Sequence, residues 1–299
     1  MPNARPMQHY RDADIEANSG KGAGDENFPV ASRLVARELR PHFMAYYDFA
    51  RATDDIADAP HLTPAEKQHR LNAFLDVLDG KATGLSRAER LRQSFRETGV
   101  PRARAADLIT AFLQDAVKSR YATMAELLDY CRHSADPVGR FLLDLHREDP
   151  ALYPASDALC TALQLLNHLQ DLGKDRANLD RVYLPLDWLH DAGETVEALD
   201  RDRASPGLRA VIDRLLDECD RLLRAARPLL AGLRTRSLAG ESAAILYLAG
   251  RLAARLRVAD PLAVRVDLSK ADFAAALGHG ALAALRRPAP ARLLAEGRA

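Results

Sequence analysis

The chain has 299 residues, 47% of them hydrophobic and 28% charged; this composition supports a sizeable globular core and excludes a wholly disordered chain. Lys plus Arg (42) equals Asp plus Glu (42), so the overall charge gives no support for a nucleic-acid binder. Cys131, Cys160 and Cys219 are scattered with no CxxC pair, which argues against a disulfide framework or thiolate zinc site and for a reducing cytoplasm.

In chain order, residues 1–24 are polar and Gly-rich and read as disordered or loosely held. They carry no apolar signal core, and no apolar run in the chain approaches the ~20 residues of a spanning helix. Residues 25–286 then read as helix after helix, dominated by Ala, Leu, Arg and Glu. Helices are expected over 30–40 and 42–58. Thr63-Pro64-Ala65-Glu66 offers an N-cap, a proline at the first helical position and a Glu to close a capping box. Helix 64–79 follows, with Leu71, Phe74, Leu75 and Leu78 at helical spacing. Ser86 with Glu89 opens 86–98, helix 102–118 comes next, and Thr123 with Glu126 opens 123–134. Helices 136–147 and 155–176 precede Ser205-Pro206, which opens 206–232. Helix 238–257 and, from Ser269 with Asp272, helix 269–286 complete the set. No run of alternating β-branched residues reads as a strand. No linker or repeat divides the chain, so one all-α domain over 25–286 is expected. Residues 287–299 are Pro-broken and basic and read as a flexible tail, with contact to anionic lipid as the alternative.

Two segments carry chemistry. In YDFARATDDIAD (47–58), residues three and four apart share a helix face, so Tyr47, Arg51, Asp54 (or Asp55) and Asp58 form one stripe. Asp55 points about 100° away from Asp54 and is the less direct candidate. Asp54 and Asp58 are like charges at i,i+4, which costs about 0.2–0.5 kcal/mol on an isolated helix. Phe43, Tyr46, Phe49 and Ile56 make the segment too apolar to be freely solvated. A cation between the carboxylates accounts for the pattern, and oxygen-only ligands suit Mg²⁺, which binds through one or two carboxylates plus substrate phosphate. For this segment alone, a surface acidic helix with chance clustering is the alternative.

In QLLNHLQDLGKD (164–175), Asn167, Asp171 and Asp175 fall at i, i+4 and i+8 and drift only about 80° around a helix. Leu163, Leu166, Leu169 and Leu172 flank them, so the helix is expected to be partly buried, and burying unpaired carboxylates is costly. Two such walls facing each other, with Arg51 as a cation for a polyanion, describe a metal-bridged diphosphate site. An apolar interior beside it would hold a hydrocarbon. The implied chemistry is ionisation of a carbon–oxygen bond, with Lewis-acid stabilisation of departing diphosphate and dry walls that protect a carbocation.

These residues resemble the squalene/phytoene synthase family. Its first motif sets Tyr and Arg ahead of an Asp-rich cluster, as in YDFARATDDIAD; its second has Asn-x3-Asp-x3-Asp and then Tyr-Leu-Pro, as in NHLQDLGKD and Tyr183-Leu184-Pro185. Tyr130-Cys131 before Val138-Gly139, and Tyr247 before Arg265-Val266-Asp267-Leu268-Ser269-Lys270, also match. The resemblance spans roughly residues 25–275. It implies an all-α, single-domain isoprenoid-synthase-type helical bundle around a central cavity, with Mg²⁺ and prenyl diphosphate substrates. Three details look like the hydroxysqualene synthases of bacterial hopanoid pathways: Glu26-Asn27-Phe28-Pro29-Val30-Ala31-Ser32, the stretch Arg132-His133-Ser134-Ala135-Asp136-Pro137, and Gln170 where phytoene synthases usually show Arg. That branch ionises presqualene diphosphate and adds water without NADPH. Presqualene diphosphate, squalene or phytoene synthesis by head-to-head condensation is the alternative.

On this resemblance Asp54, Asp55, Asp58, Asn167, Asp171 and Asp175 hold Mg²⁺ directly or through water. Arg51 and Arg265 bind diphosphate oxygens with their planar donor forks; Lys270 is a further candidate, with a solvated helix start as its alternative. Tyr47, Tyr130, Tyr183 and Tyr247 line the cavity, guide diphosphate or stabilise cations with their π faces, or else pack in the core. Phe28 reads as a cavity residue and Gln170 as a candidate to position water. His168 lies one residue off the stripe and, like His42 and His133, reads as packing or surface. The expected partner is a small prenyl diphosphate and not nucleic acid. So apolar a substrate is compatible with transient membrane-surface contact, and the chain is expected to be a monomer or homodimer.

Overall fold

A computed structural model describes residues 7–16 and 36–286. Residues 7–16 belong to the segment expected to be loosely held, yet they are docked. β1 (Gln8–His9) pairs in parallel with β2 (Ala82–Thr83), and Tyr10 N donates to Thr83 O at 2.8 Å. The short helix α1 (Asp12–Ile15) buries Ile15. Its Asp12 carboxylate accepts from Ser86 N at 2.9 Å and Ser86 Oγ at 2.7 Å. Asp12 thus caps a distant helix from outside. Ser86 does not close the expected box with Glu89, whose Oε1 accepts from Gly84 N at 2.9 Å instead.

The first half of the bundle is α2 (Arg40–Asp58), α3 (Pro64–Leu78), α4 (Ser86–Thr98) and α5 (Ala103–Asp115). Of the helix expected over 30–40, residues 37–39 form a turn, and the helix expected over 42–58 starts two residues early, at Arg40. Pro41 sits in the first turn of α2, where its missing N–H costs no intrahelical bond. The Thr63–Glu66 capping box forms as expected. Phe49, Ile56, Leu71, Phe74, Leu91 and Ile109 are among the side chains of a first core.

The second half runs through β3 (Arg120–Tyr121), α6 (Met124–Ser134), α7 (Asp136–Leu145), α8 (Tyr153–Gln170) and α9 (Leu172–Leu179). The helix expected over 155–176 therefore bends, at Asp171 (φ −97°, ψ 14°). Hydrogen bonds from Asp171 N to Asn167 O (2.9 Å) and from Asp175 N to Asp171 O (2.7 Å) carry the ladder across the bend. The bend returns the chain to β4 (Val182–Pro185), which pairs in parallel with β3. These strands are too short to show an alternating pattern, which is why none was expected. α10 (Leu186–Asp191), α11 (Pro206–Gly232), α12 (Arg236–Val258) and α13 (Lys270–Leu285) follow. Ser205 and Ser269 cap α11 and α13 as their sequences imply. α11 packs along α8 and α12, and α12 along α13. Gly240 and Gly280 permit that last approach, since a Cβ at Gly240 would lie 2.9 Å from Gly280 O. Leu165, Leu166, Leu215, Leu216, Leu252 and Leu256 belong to a second core. No described helix is long and apolar enough to cross a membrane. The tail over 287–299 lies outside the described residues.

Among the described residues, Glu241 is a buried acid with no ion pair. Glu241 on α12 is 5% exposed, and burial alone pushes its carboxyl from 4.5 up to about 8. The folded chain therefore holds a proton that the unfolded chain releases between those values. Stability should fall as pH rises from 4.5 to about 8. Glu241→Gln should flatten that decline by a few kcal/mol. Urea midpoints of both proteins at about pH 5 and about pH 9 check this, and parallel pH slopes would refute it.

Candidate active site

Two stripes of incompletely buried residues run along helices whose other residues, past the first turn, are mostly buried. On α2 the stripe is Tyr47, Ala50, Arg51, Asp54 and Asp58; on α8 it is Cys160, Leu163, Gln164 and Asn167, continued by Asp171. α2 belongs to the first core and α8 to the second, so the stripes border the seam between them.

On the first wall, Arg51 donates to Asp55 Oδ1 from Nε at 3.1 Å and Nη2 at 2.7 Å. Its Nη1 lies 3.3 Å from Asp54. Asp55 is buried beneath this contact, as its expected offset around the helix allows. Asp54 stays half-buried on the stripe. Burial, and then the neighbouring Asp58, push the Asp54 carboxyl up to about 7, against the pull of Arg51.

On the second wall, Asp171 accepts from Arg265 Nη1 at 3.1 Å and lies 3.8 Å from Lys174 Nζ. Arg265 also donates to Asp267 at 2.9 Å. Burial raises Asp175 to about 7, with Asp171 and then Asp58 adding to it.

Arg181 joins the two rows, a role that no motif assigns to it. Its backbone N donates to Asp175 O at 3.1 Å. Its Nη1 donates to Asp58 at 2.6 Å, and its Nη2 to Ala57 O at 3.1 Å and Asp115 O at 3.4 Å. Lys67 Nζ also donates to Ala57 O, at 2.7 Å. The carbonyl ends of α2 and α5 are thus aimed at cations, where the helix dipole favours them. Asp115 is the second residue missed. It accepts from Tyr130 Oη at 2.8 Å and Tyr183 Oη at 3.5 Å. Burial pushes it up to about 6, against Arg181. Arg181 stands two residues before the motif tyrosine Tyr183, which was a usable signal. Asp115, at a helix end, offered none.

Tyr130 and Tyr183 join an aromatic group with Tyr121 and His168. His168 stacks on Tyr183 at 3.6 Å and Tyr121 on Tyr183 at 5.7 Å. Burial and then Arg181 push His168 down to about 3, so it packs as a neutral ring. Tyr47 is half-buried against the first core. Tyr247 and Lys270 stand apart, and Gln170 lies at the edge of the second row. Tyr247 stacks on His279 at 4.4 Å between α12 and α13. Lys270 is an exposed first residue of α13 and makes no ion pair among the described residues. Gln170 is buried and donates to Val266 O at 2.6 Å. Phe28 lies outside the described residues. Among the described residues, no three His, Cys, Asp or Glu side chains are grouped closely enough to hold a metal by themselves.

A family model described as squalene/phytoene synthase matches residues 22–272. A hydroxysqualene synthase of Rhodopseudomonas palustris is 43% identical over 258 residues, covering 86% of this chain and 88% of that protein. One from Sinorhizobium fredii is 40% identical, covering 91% of this chain and 92% of that protein. The crystal structure of a squalene synthase from Alicyclobacillus acidocaldarius is 33% identical, with a TM-score of 0.68 over 76% of this chain and 86% of that one.

The strap made by Arg181 is open to test. Arg181→Met leaves Asp58 and Asp115 without their shared cation. It should cost on the order of 2–4 kcal/mol in urea denaturation, below the full value for a wholly buried pair because Asp58 is partly solvated. An unchanged urea midpoint would mean that the strap does not hold the walls.

Proposed function

Because the chain belongs to the squalene/phytoene synthase family, we propose that it converts presqualene diphosphate and water to hydroxysqualene and diphosphate, with Mg²⁺ as cofactor. The observation that carries this reading is that the two carboxylate rows meet at Arg181, whose side chain donates to Asp58 at 2.6 Å and whose backbone N donates to Asp175 O at 3.1 Å. The relatives at 43% and 40% identity support the choice of product.

The donor set fits the metal. It is all oxygen, and too sparse to enclose an ion unaided, as suits Mg²⁺ bound through one or two carboxylates, waters and substrate phosphate. A cation between the rows would also offset the burial, and the repulsion that adds to it, that raise Asp54 and Asp175. Asp54, Asp58, Asn167, Asp171 and Asp175 would hold it, directly or through water; when bound it neutralises the leaving diphosphate. Asp55 serves through Arg51 rather than at the ion. Arg51 and Arg265 now lie on Asp54, Asp55 and Asp171. Arrival of diphosphate exchanges partners: the guanidinium forks turn to phosphate oxygens and free carboxylates. The half-buried apolar positions between the cores, Ala50 and Leu163 among them, receive the hydrocarbon. The π faces of Tyr130 and Tyr183 border the charged end and favour a nearby cation. Shielding by these walls keeps the cation from random quenching.

A second reading, squalene or a related hydrocarbon made from prenyl diphosphates, is favoured by the 33% identical squalene synthase. Purified protein with Mg²⁺ should be given farnesyl diphosphate alone, then presqualene diphosphate alone, and the products analysed by mass spectrometry. Hydroxysqualene from the second substrate and nothing from the first is expected. Hydrocarbon from farnesyl diphosphate would favour the second reading. Asp54→Ala and Asp171→Ala should each slow diphosphate release by about 100-fold or more; full turnover by either would contradict the metal role.

A further inference from the structure

Gln170 is 7% exposed at the end of α8. Its Nε2 donates to the carbonyl of Val266 at 2.6 Å. That bond fixes the amide plane and turns Oε1 away from Val266. Oε1 is buried and has no donor against it. Buried acceptors are almost always paired, so one left open and held in place marks where another molecule donates.

Its surroundings say which molecule. Gln170 comes three residues after Asn167 and one before Asp171, about 60° round the helix from Asn167. It therefore sits at the edge of the half-buried stripe that includes Leu163 and Asn167. Val266 follows Arg265, whose guanidinium is 3.1 Å from Asp171. The open acceptor lies beside the groups assigned to diphosphate and at the border of the apolar seam. Neither a hydrocarbon nor a diphosphate anion has a hydrogen to donate there. Water does.

We infer that Gln170 holds the water that captures the cation; this rests on the hydroxysqualene reading above. Diphosphate leaves with the electron pair of the carbon–oxygen bond. A cyclopropane carbon–carbon bond breaks, and its pair becomes the double bond of an allylic cation. A lone pair of the water oxygen then forms the new carbon–oxygen bond. One water hydrogen is bonded to Gln170 Oε1 and stays as the alcohol hydrogen. The other passes to an oxygen of the departed diphosphate, because a neutral amide is too weak a base to keep it. The tether to Val266 sets this acceptor in register with Arg265.

The test separates acceptor from tether. Gln170→Lys keeps a donor for Val266 O and has no acceptor; Gln170→Leu has neither. The full chain is incubated with presqualene diphosphate and Mg²⁺ in ¹⁸O-water, and labelled alcohol is counted per diphosphate released. The wild-type chain should give labelled hydroxysqualene. In Gln170→Lys the alcohol per diphosphate should fall about tenfold or more, replaced by hydrocarbon formed through proton loss from the cation. An unchanged ratio in Gln170→Lys would place the water elsewhere and overturn the assignment. Loss of diphosphate release in both variants would limit Gln170 to fixing Arg265 and overturn it equally. Wild-type protein that releases diphosphate yet forms no alcohol would instead defeat the functional reading.

Discussion

One guanidinium fixes the relation between the acidic rows. Arg181 enters from the start of β4, gives its backbone N–H to α9 and its side chain to the ends of α2 and α5. Those ends come from the first core, whereas β4 and α9 belong with the second. Two cores packed only by apolar contact could slide, because the hydrophobic effect has no direction. A buried arginine with defined acceptors on both sides permits far fewer arrangements. The β3–β4 pairing then fixes where Arg181 starts, and the aromatic group over Asp115 covers the space behind it.

The same geometry makes the site costly to fold. Asp54, Asp115 and Asp175 are all raised by burial and by neighbouring carboxylates. Each is a group that folding alone would prefer neutral. Paired cations such as Arg51 and Arg181 reduce the cost without removing it. The remaining imbalance is a standing affinity for added positive charge, which is what a site for a metal diphosphate requires. The compensating stability lies elsewhere, in the leucine-rich packing of α8, α11 and α12 and in peripheral networks such as Arg104 with Asp144 and Tyr153.

Local chemistry made much of this legible in advance. The caps at Thr63, Thr123, Ser205 and Ser269 are decided within four residues, and each forms. The acidic stripes follow from helical period, and both survive in the fold, the second across a bend. What the sequence hid depends on distant partners. Asp12 caps Ser86 across 74 positions, and nothing near residue 12 announces it. Arg181 and Asp115 matter because three helix ends meet there. The bend at Asp171 comes two residues before Gly173, a weak helix former that the expected continuous helix runs straight through. Tyr247 sits on the expected helix, but its neighbour is His279 of α13, a contact that spacing on one helix cannot reveal.

Gln170 shows how such distant contacts bear on chemistry. Read along α8 alone, it is a polar residue beside an acidic motif, with two ends and no preferred task. The carbonyl of Val266 distinguishes those ends, since it accepts from the amide nitrogen and leaves the oxygen free. The loop that brings this carbonyl also brings Arg265 to Asp171. The proposed leaving-group recognition and the open acceptor are therefore set by one backbone segment docked on one helix end. A shift of that segment would move both together. The proposed water capture would draw on that coupling, because a cation formed far from its water would lose a proton before meeting it.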